Sequence, residues 1–310
     1  MLTSLKRLLS SIVDYAGLFP PAQIGLPESM TIYDRAHSSP HGWMLDRFVL
    51  PAFRLHEWIS LLPTFHRAMY LSKPWSLSVI LSKNWATELE QIHQIRETAL
   101  QRDYQIGINA LEVVPLSPAE IQQVCLNLPA EVDTFFEIPF DADLEPYLEI
   151  LQQTGAAAKL RTGGITRDAF PDSIQLSQHI LSLAKAQIPF KATAGLHHAL
   201  RGNYRLTYQP ESDSTIMHGF LNVAILAAFA YQQSLILDEA LAILEEPSIA
   251  QFQFSPTEVS WRDRSLSIPE IELSRQQFFR SFGSCSFQEP IDDLHTLGFL
   301  WSAPLMPLTI

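Results

Sequence analysis

The spacing of apolar positions changes several times along the chain. Leu2, Leu5, Leu8, Leu9 and Ile12 recur at helical spacing and predict an amphipathic first helix. Residues 13–21 (VDYAGLFPP) are apolar but interrupted by a glycine and two prolines, which reads as an ordered loop. A second helix is predicted over about 29–36. From there the pattern alternates. Residues 48–52, 76–81, 110–114, 134–138, 156–161 and 189–194 have strand length and composition. Helical stretches lie between them, at 55–61, 85–102, 144–153 and 173–186, with another opening at Ser117. Asn84 is placed to cap the helix at 85, and Ser117-Pro118-Ala119-Glu120 carries the residues of a capping box with proline in the first turn.

Six strand–helix steps with short connections imply a parallel sheet with right-handed crossovers. A closed barrel and an open doubly wound sheet both satisfy that pattern. No glycine-rich dinucleotide fingerprint follows the first strand, and charged residues recur at strand ends. Both facts favour an α/β fold of the (β/α)8 TIM-barrel type. The last third is less regular. It reads as helices over 217–232 and 237–245, a hairpin of 252–254 with 258–261, a helix over 270–282, a closing strand at 284–287 and a final helix near 291–299. The seventh and eighth strands find no secure place in it. The expected organisation is one domain over 1–310, with 1–45 as a helical extension packed on the barrel.

Composition narrows the partners. The chain has 310 residues, 47% of them hydrophobic, enough for a large core. Lys plus Arg number 21 against 33 Asp plus Glu, a formal charge of −12, and there is no Lys/Arg run. Nucleic acid and anionic membrane surfaces are therefore not expected partners. The apolar run 220–231 is too short to span a bilayer, and Lys6 and Arg7 break the N-terminal apolar stretch. Two cysteines without a CxxC pair suggest reduced thiols in the cytoplasm.

Ligands of parallel barrels sit at the carboxyl ends of the strands, and residues two apart on a strand share a face. Lys159 and Arg161 therefore share a face, as do Lys191 and Thr193. Glu137 ends the neighbouring strand. A charge in a strand must be paired or bind something, because an unpaired buried charge costs several kcal/mol. Strands lie about 4.8 Å apart, so Glu137 beside Lys159, and Lys159 beside Lys191, are expected to interact. Two adjacent lysines would lower each other's pKa and leave one neutral as nucleophile or base. Lys191, Lys159 and Glu137 are the catalytic candidates. Arg161 and the turn Thr162-Gly163-Gly164, with Thr193, are candidates for holding an anion through a guanidinium fork and exposed amides. His197, His198 and His218 form a second group, and His218 with Asn222 opens a helix whose N-terminus favours anions. Asp14 in the N-terminal loop is expected to cover the pocket. Cys285, in Gly283-Ser284-Cys285-Ser286, reads as a buried thiol rather than a nucleophile.

Lys191-Ala192-Thr193-Ala194-Gly195 resembles the Schiff-base strand of the deoxyribose-phosphate aldolase family, where Lys-x-Ser/Thr-x-Gly lies on strand six of a barrel. That resemblance implies an imine at Lys191 and maps the family's acidic partner on strand three to Glu112. The family's second lysine, on strand seven, has no counterpart in this reading. Over most of its length the chain resembles a bacterial family best represented in cyanobacteria and actinobacteria. The shared stretches are VDYAGLFPPA (Val13–Ala22), KLRTGG (Lys159–Gly164), FKATAGLHH (Phe190–His198) and HGFLN (His218–Asn222). This second resemblance implies a shared site and names no reaction.

The expected function is that of a barrel enzyme acting on a small phosphate- or carboxylate-bearing metabolite by lyase-like carbonyl chemistry. Lys191 serves there as imine or electrostatic lysine, and no cofactor is required. Two alternatives stand beside it. One is a metal-dependent hydrolase or isomerase using His197, His198 and His218, with Glu137 as a carboxylate ligand. The other is a barrel that binds a metabolite or protein without turnover.

Overall fold

A computed structural model describes residues 2–68, 74–129 and 132–300. Eight parallel strands close a barrel in the order β1-β13-β7-β6-β5-β4-β3-β2. These are β1 (Val13–Tyr15), β2 (Leu45–Pro51), β3 (Trp75–Leu81), β4 (Ile106–Val113), β5 (Asp133–Glu137), β6 (Ala157–Arg161), β7 (Phe190–Thr193) and β13 (Phe279–Ser284). The expected (β/α)8 barrel is the observed architecture. Six of its strands lie where the alternating pattern put them.

The other two strands correct the sequence reading. Val13-Asp14-Tyr15 is not loop but β1, paired with β2 on one side and β13 on the other. Three residues ahead of a Gly- and Pro-rich turn are too few to show a strand period, so only the open edges on either side select them. The chain before residue 45 therefore supplies a barrel stave as well as two helices, Thr3–Leu9 and Leu26–His37. The helix expected over 270–282 ends at Gln277, and Phe279–Ser284 continues as the last strand. Phe278, Phe279 and Phe282 suit a helical period as well as a strand. The slot between β7 and β1 decides, with Phe282 opposite both Ala192 and Val13.

Helices cover the outside. The capping box at Ser117 forms: Glu120 N–H donates to Ser117 Oγ at 3.4 Å, and Ser117 N–H to Glu120 Oε2 at 2.7 Å. Asn84 precedes its helix without a capping side-chain bond. Between β7 and β13 the chain adds a hairpin of β8 (Gly202–Arg205) and β9 (Ser214–Met217), absent from the sequence reading. The helix Phe220–Gln232 follows, with Phe220 to Phe229 wholly buried. A small antiparallel sheet then forms from β10 (Phe252–Phe254), β11 (Glu258–Trp261) and β12 (Arg264–Ser267). The expected hairpin is its first two strands. Among the described residues, no helix is long and apolar enough to cross a membrane.

Candidate functional site at the barrel axis

Barrel interiors are ordinarily filled by layers of branched aliphatic side chains. This one holds paired charged side chains. In register across three strands, Glu137 is opposite Lys159, and Lys159 is opposite Lys191. Lys191 is fully buried and donates to Asp14 Oδ2 and, at 2.6 Å, to Glu112 Oε1. Glu112 also accepts from Ser78 Oγ at 2.8 Å, and its other oxygen is 3.5 Å from Lys159 Nζ. Lys159 lies 2.9 Å from Glu137 Oε2. Glu137 in turn receives Arg161, with Nε at 2.8 Å from Oε1 and a second nitrogen at 3.3 Å from Oε2. Asp14 completes the inner end, accepting from Ser281 Oγ at 2.6 Å and from the Arg47 amide at 3.3 Å.

The order of exposure sets the direction of access. The side chains of Asp14 and Lys191 have no exposed surface, and those of Lys159 and Glu137 are 3% and 8% exposed. Arg161, at the carboxyl end of β6, has 51% of its side chain in solvent. Charges thus run in alternating sign from the sealed interior to the barrel mouth, and Lys159 is the first amine behind Arg161.

The electrostatics follow from that alternation. For Lys191, burial works against the ammonium, but Asp14 and Glu112 outweigh it and raise the pKa. This corrects the expectation that the two lysines lower each other. Carboxylates stand between and around them, so Lys191 stays charged. Burial also works against the Glu112 carboxylate, yet Lys191 and Lys159 hold it down at about 2. Glu137 is lowered too, because Lys159 and Arg161 outweigh its desolvation.

Several residues expected to hold an anion do other work. Thr162 is fully buried, and its hydroxyl donates to Ala194 O at 2.6 Å. A Cβ on Gly163 would stand 2.8 Å from the Gly195 Cα and 2.5 Å from the Phe170 ring. A Cβ on Gly164 would stand 2.7 Å from the Ala169 Cβ. Gly163 lets the loops after β6 and β7 touch, and Gly164 lets its own loop fold back on Ala169. Thr193 does reach the mouth, in register with Arg161. Asp14 is a barrel residue under Lys191, not a cover over the pocket. The helix opened by His218 is no free anion site either. Its first amides are taken by the carbonyls of His198 and Ala199, at 2.9 and 3.0 Å. Asn222 is fully buried, receives the Arg201 amide and donates to the carbonyls of Ile243 and Glu246.

Nor do the three histidines converge. His197 Nδ1 lies 3.1 Å from Glu289, His198 Nδ1 lies 3.2 Å from Asp293, and His218 Nε2 lies 2.9 Å from Pro171 O. Among the described residues no group of three or more His, Cys, Asp or Glu side chains is arranged to hold a metal ion. His197 and His198 instead line a cavity of about 340 Å³ beneath the β8–β9 hairpin, together with Tyr208 and Glu289.

Sequence alone does not mark Ser281, whose segment has helical spacing, or Arg47, which stands one residue before the predicted strand 48–52. Neither carries a motif. Asp14 and Glu112 were singled out, but only barrel closure reveals that they share one lysine. Comparison with known proteins leaves these contacts to speak alone: no family model, curated protein or solved structure matches the chain.

Proposed function

We propose that this protein is a barrel enzyme acting on a small carbonyl compound that bears a carboxylate or phosphate. The observation that carries the reading is the run Arg161–Glu137–Lys159 from mouth to interior, with Lys159 Nζ 2.9 Å from one carboxylate and 3.5 Å from another. Buried charges clustered at strand ends are characteristic of sites that do chemistry. Arg161 has an exposed fork suited to a planar anion. Arg161 turns to the substrate anion and releases Glu137 from one of the two cations that hold its pKa down. Glu137 then takes a proton from Lys159, and the free amine attacks the substrate carbonyl carbon. The resulting carbinolamine loses water, with Glu137 returning the proton to the departing hydroxyl, and an iminium remains on Lys159. Lys191 serves as the electrostatic lysine: its fixed positive charge, shared by Asp14 and Glu112, keeps Glu112 ionised beside the reacting amine.

The strand count supports this assignment of roles. With Val13–Tyr15 as the first strand, Lys159 falls on strand six and Lys191 on strand seven. Those are the two strands that carry lysines in the deoxyribose-phosphate aldolase family. The Lys-x-Thr-x-Gly stretch on which the resemblance rests is then on strand seven, so the imine proposed here is on Lys159 and not on Lys191, where the resemblance put it. Glu112 falls on the fourth strand rather than the third, which departs from that pattern. The proposed setting is the cytoplasm, consistent with two free cysteines.

Borohydride reduction in the presence of a panel of small carboxylated and phosphorylated aldehydes and 2-oxo acids tests the reading. The expected result is one reduced adduct, mapped to Lys159 by peptide mass and absent from Lys159→Arg. If no compound yields an adduct, or if adducts form equally on surface lysines, the reading is overturned.

A further inference from the structure

A second cluster of reactive side chains lies above the barrel rim, apart from the axial ions. Cys285 directly follows β13 and is 5% exposed. Its Sγ is 3.9 Å from His197 Nδ1 and 3.5 Å from the Tyr208 hydroxyl. Glu289 Oε2 lies 3.1 Å from the same Nδ1 and accepts from Tyr208 at 3.1 Å. The Ser284 hydroxyl is 3.5 Å from that nitrogen. Three elements meet here: the loop after β7, the tip of the β8–β9 hairpin and the start of the helix Gln288–Thr296. Such convergence is not needed to bury one thiol. A buried cysteine with only a packing role sits among apolar groups, whereas this one faces an imidazole held by a carboxylate. The remaining titratable groups that face it are the phenols of Tyr15 and Tyr208.

His197, Tyr208 and Glu289 are also walls of the 340 Å³ cavity. His198, Tyr204 and Thr207 line it as well. Cys285 is not itself a wall but lies 3.5 Å from the hydroxyl of Tyr208, which is. Pro21, Leu206 and Met217 are apolar and suit a short carbon chain, while Arg205 supplies a cation. The volume is that of a small-molecule site.

We propose that Cys285 and His197 form a second reactive centre, where the thiol accepts an acyl group from a small carboxylate-bearing thioester or ester and passes it to water. His197 as imidazolium, held by Glu289, stabilises the Cys285 thiolate. Sγ attacks the acyl carbon, and the carbon–heteroatom bond breaks. The leaving thiol or alcohol takes the proton from His197 Nδ1. A water then gives its proton back to His197 and attacks the thioester. The carbon–sulfur bond breaks, releasing the carboxylic acid and restoring the ion pair. The net change is hydrolysis of one acyl bond by one water. Arg205 holds the substrate's carboxylate, and Tyr208 closes the hairpin over the thiol.

The test is reaction of the whole protein with mono-p-nitrophenyl succinate, followed by p-nitrophenolate release and peptide mapping. The expected outcome is a burst close to one equivalent, with succinyl on Cys285, and its loss in Cys285→Ala. His197→Gln slows acylation roughly hundredfold, the scale of a lost acid–base partner. Competing alkylation by iodoacetamide needs no variant. Cys125 is more exposed and carries a thiol raised by burial, so access alone favours it at every pH. A Cys285 activated by His197 instead alkylates ahead of Cys125, although it is the more buried thiol. Acylation confined to Cys125 and lysines, or alkylation of Cys125 ahead of Cys285, overturns the proposal.

Discussion

Lys191 Nζ and Glu112 Oε1 stand 2.6 Å apart in a part of the barrel that solvent barely reaches. The lysine answers two carboxylates at once, since Asp14 binds it from β1. Removing one partner of a buried pair leaves the other charge without compensation. Lys191→Met is therefore expected to lower unfolding stability by about 3–5 kcal/mol, measured by urea titration. A loss below about 1 kcal/mol would mean that the carboxylates find other partners or sit in water.

The same pair sets an acid limit. Glu112 is depressed from an ordinary 4.5 to about 2 in the fold. A depressed carboxylate stabilises the fold above its unfolded pKa, and that stability is lost as pH falls toward the folded value. Stability should decline between about pH 4.5 and 2. In Glu112→Gln that decline should be shallower. An identical slope in both proteins, by unfolding at a series of pH values, would assign the acid sensitivity elsewhere.

His197 works in the opposite direction. Burial opposes its charge, but Cys285 and Glu289 overcome that and raise it to about 10. A raised base contributes stability that is complete below its unfolded pKa of about 6.5 and is lost as pH rises through the folded value. Thermal unfolding should show Tm falling between about pH 7 and 10. His197→Asn should start lower and lose less across that window.

Arg161 is the test of the mouth. Among the described residues its ion-pair partner is Glu137, and 51% of its side chain lies in solvent. With a substrate from the adduct screen, Arg161→Ala should raise KM roughly tenfold to hundredfold, the scale of a lost charged hydrogen bond of about 1.5–3 kcal/mol. Folding stability should change little. An unchanged KM with lowered kcat would mean that Arg161 acts through Glu137 and not on the anion.

Gly163 separates packing from binding. A methyl group there must displace the Gly195 backbone at 2.8 Å. Gly163→Ala should cost about 1–3 kcal/mol by overpacking, read as a lower Tm. Were the turn instead an open anion cradle, stability would be kept while binding weakened.

The alternation of strand and helix lengths from residue 48 to 194 carried the parallel βα architecture by itself, because each βα unit shows its own local period. Strand parity put Lys159 with Arg161, and adjacency put Glu137 beside Lys159; both follow from the two-residue repeat and the 4.8 Å strand spacing. What the sequence could not hold was closure. The paired residues of Val13–Tyr15 and Phe279–Ser284, such as Val13 and Phe282, are 269 positions apart in the chain, yet they seal the barrel side by side. Only that seam brings Asp14 and Ser281 to Lys191, turns an expected neutral lysine into a clamped cation and raises Cys285 beside His197. Local periodicity reports which face a residue takes. Which charges share that face across the barrel is a property of the closed sheet.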